Sequence, residues 1–136
     1  MTAGFLLFGA GMTVFSVALR RTLGCATALA AVAAGVCTIA VAAVPLDAGY
    51  DGLHGTLAGA GYAALVAVPA TAVRPLGRQG TVAATVALTA TICLLVSVIV
   101  EGPVGLFQRL GLTLVDGWIV VTAVGLVRRR PRTVPP

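Results

Sequence analysis

The chain is 136 residues long, enough for one domain, and it is 59% hydrophobic but only 10% charged. Soluble domains carry about 25% charged residues, so a soluble chain of this composition could not cover its surface with polar groups. Together with a mean hydropathy of +1.06, the composition excludes an ordinary soluble protein and predicts a chain surrounded by lipid. The net charge of +5 comes from nine arginines in short clusters between apolar runs, a pattern that argues against a nucleic-acid partner.

Five apolar runs follow one another along the chain, and each is long enough to cross a bilayer as a helix. We therefore predict an all-α fold, a polytopic transmembrane helical bundle with spans at about 3–19, 23–44, 55–73, 81–100 and 110–127. These spans form a single transmembrane domain over residues 1–127, and residues 128–136 form a basic cytoplasmic tail. The first run carries its arginines after the apolar stretch, unlike a secretory signal peptide, and is interpreted as a retained span.

The connectors between the runs are short and carry residues that break helices. Pro45 ends the second run, and together with Gly49 and Gly52 it predicts a loop that continues to His54. In the third run, Pro69 predicts a kink of the kind that neighbouring helices tolerate in a membrane.

Two patterns of small residues predict close helix packing. Gly55 and Gly59 stand four residues apart at the start of the third run, a spacing that lets helix backbones approach each other in lipid. Small, weakly polar residues also recur at every fourth position of the fourth run and would form a ridge along one helix face. That ridge consists of Thr81, Thr85, Thr89, Cys93 and Ser97.

The arginines divide very unequally between the two sides of the predicted membrane. Eight fall on one side, and Arg109 alone falls on the other. Because short cytoplasmic loops carry an excess of positive charge, the side with eight arginines is predicted to be cytoplasmic. The N-terminus is then outside, the C-terminus is cytoplasmic, and the chain is predicted to be a multi-pass protein of the cell membrane. The eight are Arg20, Arg21, Arg74, Arg78, Arg128, Arg129, Arg130 and Arg132.

Three stretches of the chain carry a resemblance to a known family. The stretch Val44 to Asp47, followed by His54, is similar to that family's Phe-Pro-x-Asp then His pattern. The stretch 105–109, Gly-Leu-Phe-Gln-Arg with Trp118 downstream, is similar to its Gly-Leu-x-(Glu/Gln)-Arg pattern ahead of a Trp. Residues 4–9 look like the family's second span. On these motifs the chain resembles, over nearly its whole length, the prokaryotic membrane proteins grouped as "domain of unknown function 998".

The resemblance implies a helical membrane bundle and no settled activity. Members of that family usually have a further span before the run that opens this chain, with a Ser-Glu-Leu-Gly-like loop between the two. The chain shows neither, and Val44 stands where the family has Phe. Losing one span from a protein with both ends inside leaves the N-terminus outside, as the arginine distribution independently predicts.

Six polar side chains are candidates for a binding site, because charged groups near an apolar bundle are costly and often functional. Most lie at or next to connectors on the predicted outer side, so they could converge on one external vestibule. His54 and Asp116 are also the candidates for acid–base catalysis. The candidate binding residues are Asp47, Asp51, His54, Glu101, Arg109 and Asp116.

Asp116 is the candidate that is hardest to explain as an ordinary surface residue. It lies six residues into the fifth run, which places it roughly 9 Å deep. A carboxylate at that depth must face the bundle interior, be protonated or have a partner. Because Arg109 stands seven residues earlier on the same helix face, we expect Asp116, Arg109 and His54 to converge on one pocket.

The other candidates also have purely structural interpretations. Asp47 and Asp51 would cap turns or helix starts, and His54 would hydrogen-bond a connector. Arg109 would extend its side chain to the membrane surface or pair with Glu101. No metal and no cofactor is expected, because a lone His without a second His or a Cys at ligand spacing does not make a zinc site.

Three functions remain open on the sequence. The chain is either an accessory bundle, packed against a partner membrane protein or assembled as a homo-oligomer, or a transport-like or lipid-interacting bundle with an outward-facing polar pocket. The alternative is a membrane-embedded enzyme that uses Asp and His for acid–base chemistry. No P-loop, GxGxxG or HExxH motif supports an enzyme. Membrane lipids are the expected partners in every case.

We predict that the second connector lies outside and the third inside. In a background without the native cysteines, Gly49→Cys should label with an impermeant thiol reagent added to intact cells, because its connector lies on the side that is poor in arginine. Arg78→Cys should label only after the membrane is permeabilised. The reverse labelling pattern would show that the arginine distribution does not report the topology.

Overall fold

The protein is an all-helical bundle in a computed structural model, which describes residues 2–44, 49–99 and 104–128. Its five helices are α1 (Thr2–Thr22), α2 (Cys25–Ala43), α3 (Asp51–Ala72), α4 (Gly80–Ile99) and α5 (Val104–Arg128), with a short 3-10 turn at Gly77–Gln79 before α4. The described ranges contain no strand. Five helices are long and apolar enough to cross a membrane, which confirms the predicted fold class.

The start of α3 differs from the loop that the sequence predicts. The helix begins at Asp51, so Gly52 and His54 lie in its first turn, and the expectation of a loop up to His54 is wrong. A single glycine weakens a helix by only about 1 kcal/mol, and the Asp51 carboxylate is favourable at the positive end of the helix dipole. Pro69 lies inside α3 and is buried, and the helix continues beyond it to Ala72.

Helix α3 is the centre of the bundle. It packs against α2, α4 and α5, whereas α1 packs mainly against α2, and α4 also packs against α5. Among the described residues, α1 and α5 are not a closely packed pair. One apolar core runs through all five helices, and its fully buried members are Leu19, Ala31, Val68, Ala72, Ala83, Ala90 and Val115. Many large apolar side chains outside this core are exposed, as expected for helices that face lipid.

Helices α1 and α2 approach each other closely at a pair of glycines. A Cβ atom added to Gly9 would lie 2.7 Å from the carbonyl oxygen of Gly35, and one added to Gly35 would lie 2.6 Å from the carbonyl oxygen of Gly9. Both atoms belong to the backbone and cannot rotate away, so neither position accepts a side chain without separating the helices. Such a contact replaces the hydrophobic driving force that helices in lipid do not have.

The small residues singled out in the sequence are not the ones that pack closely within the chain. Gly55 and Gly59 are exposed, and a Cβ atom at either would meet open space, so the prediction that they face a neighbouring helix is wrong for the described bundle. The four-residue motif does not show whether its side of the helix faces another helix, and in α3 this side points away from the bundle.

The predicted ridge on α4 is only partly buried. Thr81 and Thr85 are exposed, and the Thr85 hydroxyl donates to the Thr81 carbonyl of its own helix at 3.0 Å, so it needs no partner helix. The row turns about 40° around the helix with each four-residue step, so only its Cys93 member reaches the buried side. The face that packs is made of Gly80, Ala83, Ala87, Ala90 and Cys93.

We predict that Gly35→Ala destabilises the bundle and Gly55→Ala does not. The new methyl group at position 35 overlaps the α1 backbone, which should cost about 1–3 kcal/mol and lower the melting temperature in detergent. At position 55 the methyl group enters open space, so stability should stay equal or rise slightly with helix propensity. Equal melting temperatures for Gly35→Ala and the wild type would contradict the α1–α2 contact.

Candidate functional site

A cavity of about 500 Å³ lies between α1, α2, α3 and α5. It occupies the end of the bundle where α1, α3 and α5 begin and α2 finishes, on the side where α1 and α5 do not pack together. Most of its wall is apolar, from Phe5, Phe8, Val41, Leu57, Leu65 and Leu112. The polar side chains in the lining are Thr38, His54, Tyr62, Gln108 and Asp116.

The helical repeat explains why these residues share one wall. On α3 the lining positions 54, 57, 58, 61, 62 and 65 follow one another at steps of one or three residues, which keeps them on a single helix face. On α5 the lining positions Gln108, Leu112 and Asp116 form a row with a step of four residues. The lining face of α3 and the lining face of α5 therefore meet across the cavity, and both carry polar residues.

His54 is half-buried and is held by a backbone carbonyl. Its Nδ1 lies 2.6 Å from the oxygen of Val44, the residue that caps the end of α2. A carbonyl oxygen can only accept, so Nδ1 carries the hydrogen and donates it. This bond satisfies a carbonyl at the end of α2 and fixes the orientation of the ring, which matches the interpretation of His54 as a residue that hydrogen-bonds a connector. The other ring nitrogen, Nε2, is an acceptor in the neutral ring.

Asp116 is half-buried in α5 and lines the same cavity as His54. Its Oδ1 atom is buried and has no hydrogen-bond partner among the described residues. Leaving a buried polar atom unpaired costs about 1–3 kcal/mol, and more when the group is charged. Unpaired buried groups are rare in folded proteins, and such an atom beside a cavity indicates a partner that the described residues do not supply.

Tyr62 was not singled out in the sequence, yet it joins three helices at the cavity. Its hydroxyl donates to the carbonyl oxygen of Ala90 on α4 at 3.2 Å. Its ring and hydroxyl also cover Gly111 on α5, where an added Cβ atom would overlap the hydroxyl. The available signal was a tyrosine inside an apolar span, because a buried hydroxyl in lipid must find an acceptor.

Gln108 was also missed as a site residue. It belongs to the stretch 105–109 that carries the family resemblance, but its amide is neutral and is much less costly near lipid than a carboxylate. In the structure it stands two turns before Asp116 on the same wall of the cavity.

The structure brings two of the six predicted binding residues together, His54 and Asp116. Asp51 is exposed in the first turn of α3, and Arg109 is exposed on α5 outside the cavity lining. Asp47 and Glu101 lie outside the described residues. Within the described ranges, no cluster of three or more His, Cys, Asp or Glu side chains is placed to hold a metal ion.

Comparison with known proteins places the chain in one family. No curated protein matches it, and no solved structure matches it. A family model described as "Protein of unknown function (DUF998)" matches residues 1–125, which include the helices that line the cavity and both connectors that carry the resemblance. The chain therefore belongs to the DUF998 family of proteins of unknown function.

Proposed function

We propose that the chain is a multi-pass protein of the cell membrane that binds a lipid-like amphiphile in the cavity between α1, α2, α3 and α5. The observation that carries this proposal is an apolar cavity with an unpaired, buried carboxylate oxygen of Asp116 at its wall. An amphiphile matches both properties, since its chain would cover the apolar wall and its head would supply the missing polar partner. The bundle would accordingly act in lipid handling or in transport-like movement of such a molecule.

The size and position of the cavity support this proposal. Small-molecule sites usually have volumes of about 300–1,000 Å³ and apolar walls with a few polar groups, and the cavity of about 500 Å³ falls in that range. Phe5 and Phe8 of α1 face Leu112 of α5 across the side where these two helices do not pack. A lipid chain could enter between two helices that are not in close contact without crossing a polar barrier.

The charge distribution supports an outward-facing cavity. The described arginines other than Arg109 lie in the last turn of α1, between α3 and α4, or at the end of α5, and the cavity occupies the opposite end of the bundle. If the arginine-rich end is cytoplasmic, the cavity belongs to the outer half of the membrane.

A second candidate function is acid–base catalysis on the bound amphiphile. The bond between His54 Nδ1 and Val44 leaves Nε2 available as a base, and Asp116 lines the same cavity. The two functions differ in what happens to the ligand. Recovery of the amphiphile unchanged after long incubation favours binding, whereas conversion that disappears in both His54→Asn and Asp116→Asn favours an enzyme.

We predict that filling the cavity abolishes amphiphile binding. Ala58 lines the cavity, so Ala58→Phe should place a ring in the space that the ligand needs and should remove co-purifying amphiphile in native mass spectrometry from a mild detergent. Ala60, two residues later on α3, is exposed and does not line the cavity, so Ala60→Phe is the matched control.

The control should retain the ligand at the level of the wild type. Equal amounts of bound amphiphile in Ala58→Phe, Ala60→Phe and the wild type, with all three proteins folded and of the same size, would contradict binding in this cavity.

A further inference from the structure

We propose that the head of the bound amphiphile is a protonated amine that pairs with the Asp116 carboxylate, an inference that rests on the proposed binding function. The hydrogen-bond inventory and the charge of the cavity lining both lead to this ligand class.

Among the described residues, few side-chain hydrogen-bond donors of the cavity are left for a ligand. The Thr38 hydroxyl donates to the Ala34 carbonyl at 2.8 Å, and the Tyr62 hydroxyl donates to the Ala90 carbonyl at 3.2 Å. The His54 Nδ1–H donates to the Val44 carbonyl oxygen. Each of these side chains therefore uses its proton within the protein and turns only lone pairs toward a ligand.

The groups that remain are mainly acceptors. They are the Asp116 carboxylate, the His54 Nε2 of the neutral ring, and the oxygen lone pairs of Thr38 and Tyr62. Within the described lining, Gln108 adds amide N–H donors. A ligand head that complements this set must donate several hydrogen bonds and accept few, which describes an ammonium group with its three N–H donors and no acceptor.

The charge of the lining leads to the same ligand. Asp116 contributes the acidic group, and no arginine belongs to the described cavity lining, since Arg109 is exposed elsewhere on α5. A carboxylate or phosphate head would approach a like charge without a cation to offset the repulsion. A cationic head would instead neutralise the Asp116 carboxylate in an environment of low dielectric, where charge-assisted hydrogen bonds are strong.

Competition between three ligands of the same chain length tests this proposal. Dodecylamine, dodecanol and dodecanoate are offered together at equal concentration to the wild-type protein in detergent, and the bound species are counted by native mass spectrometry. The wild type should prefer the amine over the alcohol by at least about tenfold, because hydrogen bonds to a charged group are stronger than neutral ones. Dodecanoate should bind least.

Two variants test whether the preference for the amine depends on the carboxylate in the cavity or on one at the surface. Asp116→Asn should reduce the preference for the amine to within about twofold of the alcohol. Asp51→Asn removes the same charge at an exposed position outside the cavity, so the preference should persist. The comparison within the wild type needs no variant and remains decisive if Asp116→Asn does not fold.

The possible failures differ in meaning. Equal binding of amine and alcohol, blocked by Ala58→Phe, would overturn the amine assignment and leave the binding function in place. An amine preference that persists in folded Asp116→Asn would also overturn the assignment. Binding of none of the three ligands, or binding that Ala58→Phe does not affect, would overturn both proposals.

Discussion

The contact of Tyr62 with Ala90 and Gly111 is the interaction on which the cavity depends. Helices in lipid gain little from burying apolar surface against one another, so their positions are set by close packing and by hydrogen bonds. Tyr62 supplies both, because its hydroxyl bonds to α4 while its ring lies over the glycine of α5. His54 precedes Tyr62 by about two turns on α3, and Asp116 follows Gly111 by more than one turn on α5. Holding Tyr62 against Gly111 therefore fixes where the two polar side chains stand in the cavity.

The opposite wall is positioned by a different contact. The Gly9–Gly35 approach holds α1 against α2, and Phe8 stands next to Gly9 with Phe5 one turn earlier. Because α1 is held mainly through α2, its other side is not closed by α5. The bundle is thus closely packed at the Gly9–Gly35 and Tyr62–Gly111 contacts, and the cavity lies between them.

The sequence was sufficient to predict the fold class, because long apolar runs without charge have few stable structures other than spanning helices. It was not sufficient to predict helix contacts. The Gly55–Gly59 motif of α3 meets open space, whereas Gly9 of α1 and Gly35 of α2 approach each other without any sequence motif that pairs them, since the orientation of a helix about its axis depends on tertiary packing. Helix α3 begins earlier than the sequence predicts, because a single glycine such as Gly52 weakens a helix without breaking it.

The candidate site was partly accessible to sequence reasoning. Asp116 was predictable as a site residue, because the energetic cost of a carboxylate in lipid rises with its depth in the membrane, and that depth follows from its position in the apolar run. Arg109 shares a face of α5 with Asp116 but lies outside the cavity, because the lining follows the four-residue row through Gln108 and Leu112, which turns about 40° around the helix at each step. The roles of Tyr62 and Gln108 depend on residues far away in the chain, which the sequence does not show. Tyr62 contacts Ala90 and Gly111, and Gln108 lines the cavity together with residues of α3.

Photocrosslinking from inside the cavity is the most direct test of the claim that the cavity binds an amphiphile. A benzoylphenylalanine placed at Phe8, which lines the cavity, is irradiated in native membranes and compared with the same probe at Leu7, which is exposed on the outer face of α1. Position 8 should give a discrete amphiphile adduct that Ala58→Phe suppresses, and position 7 should give adducts with the bulk bilayer lipids. The same mixture of bulk lipids from both positions, unchanged by Ala58→Phe, would contradict amphiphile binding in the cavity.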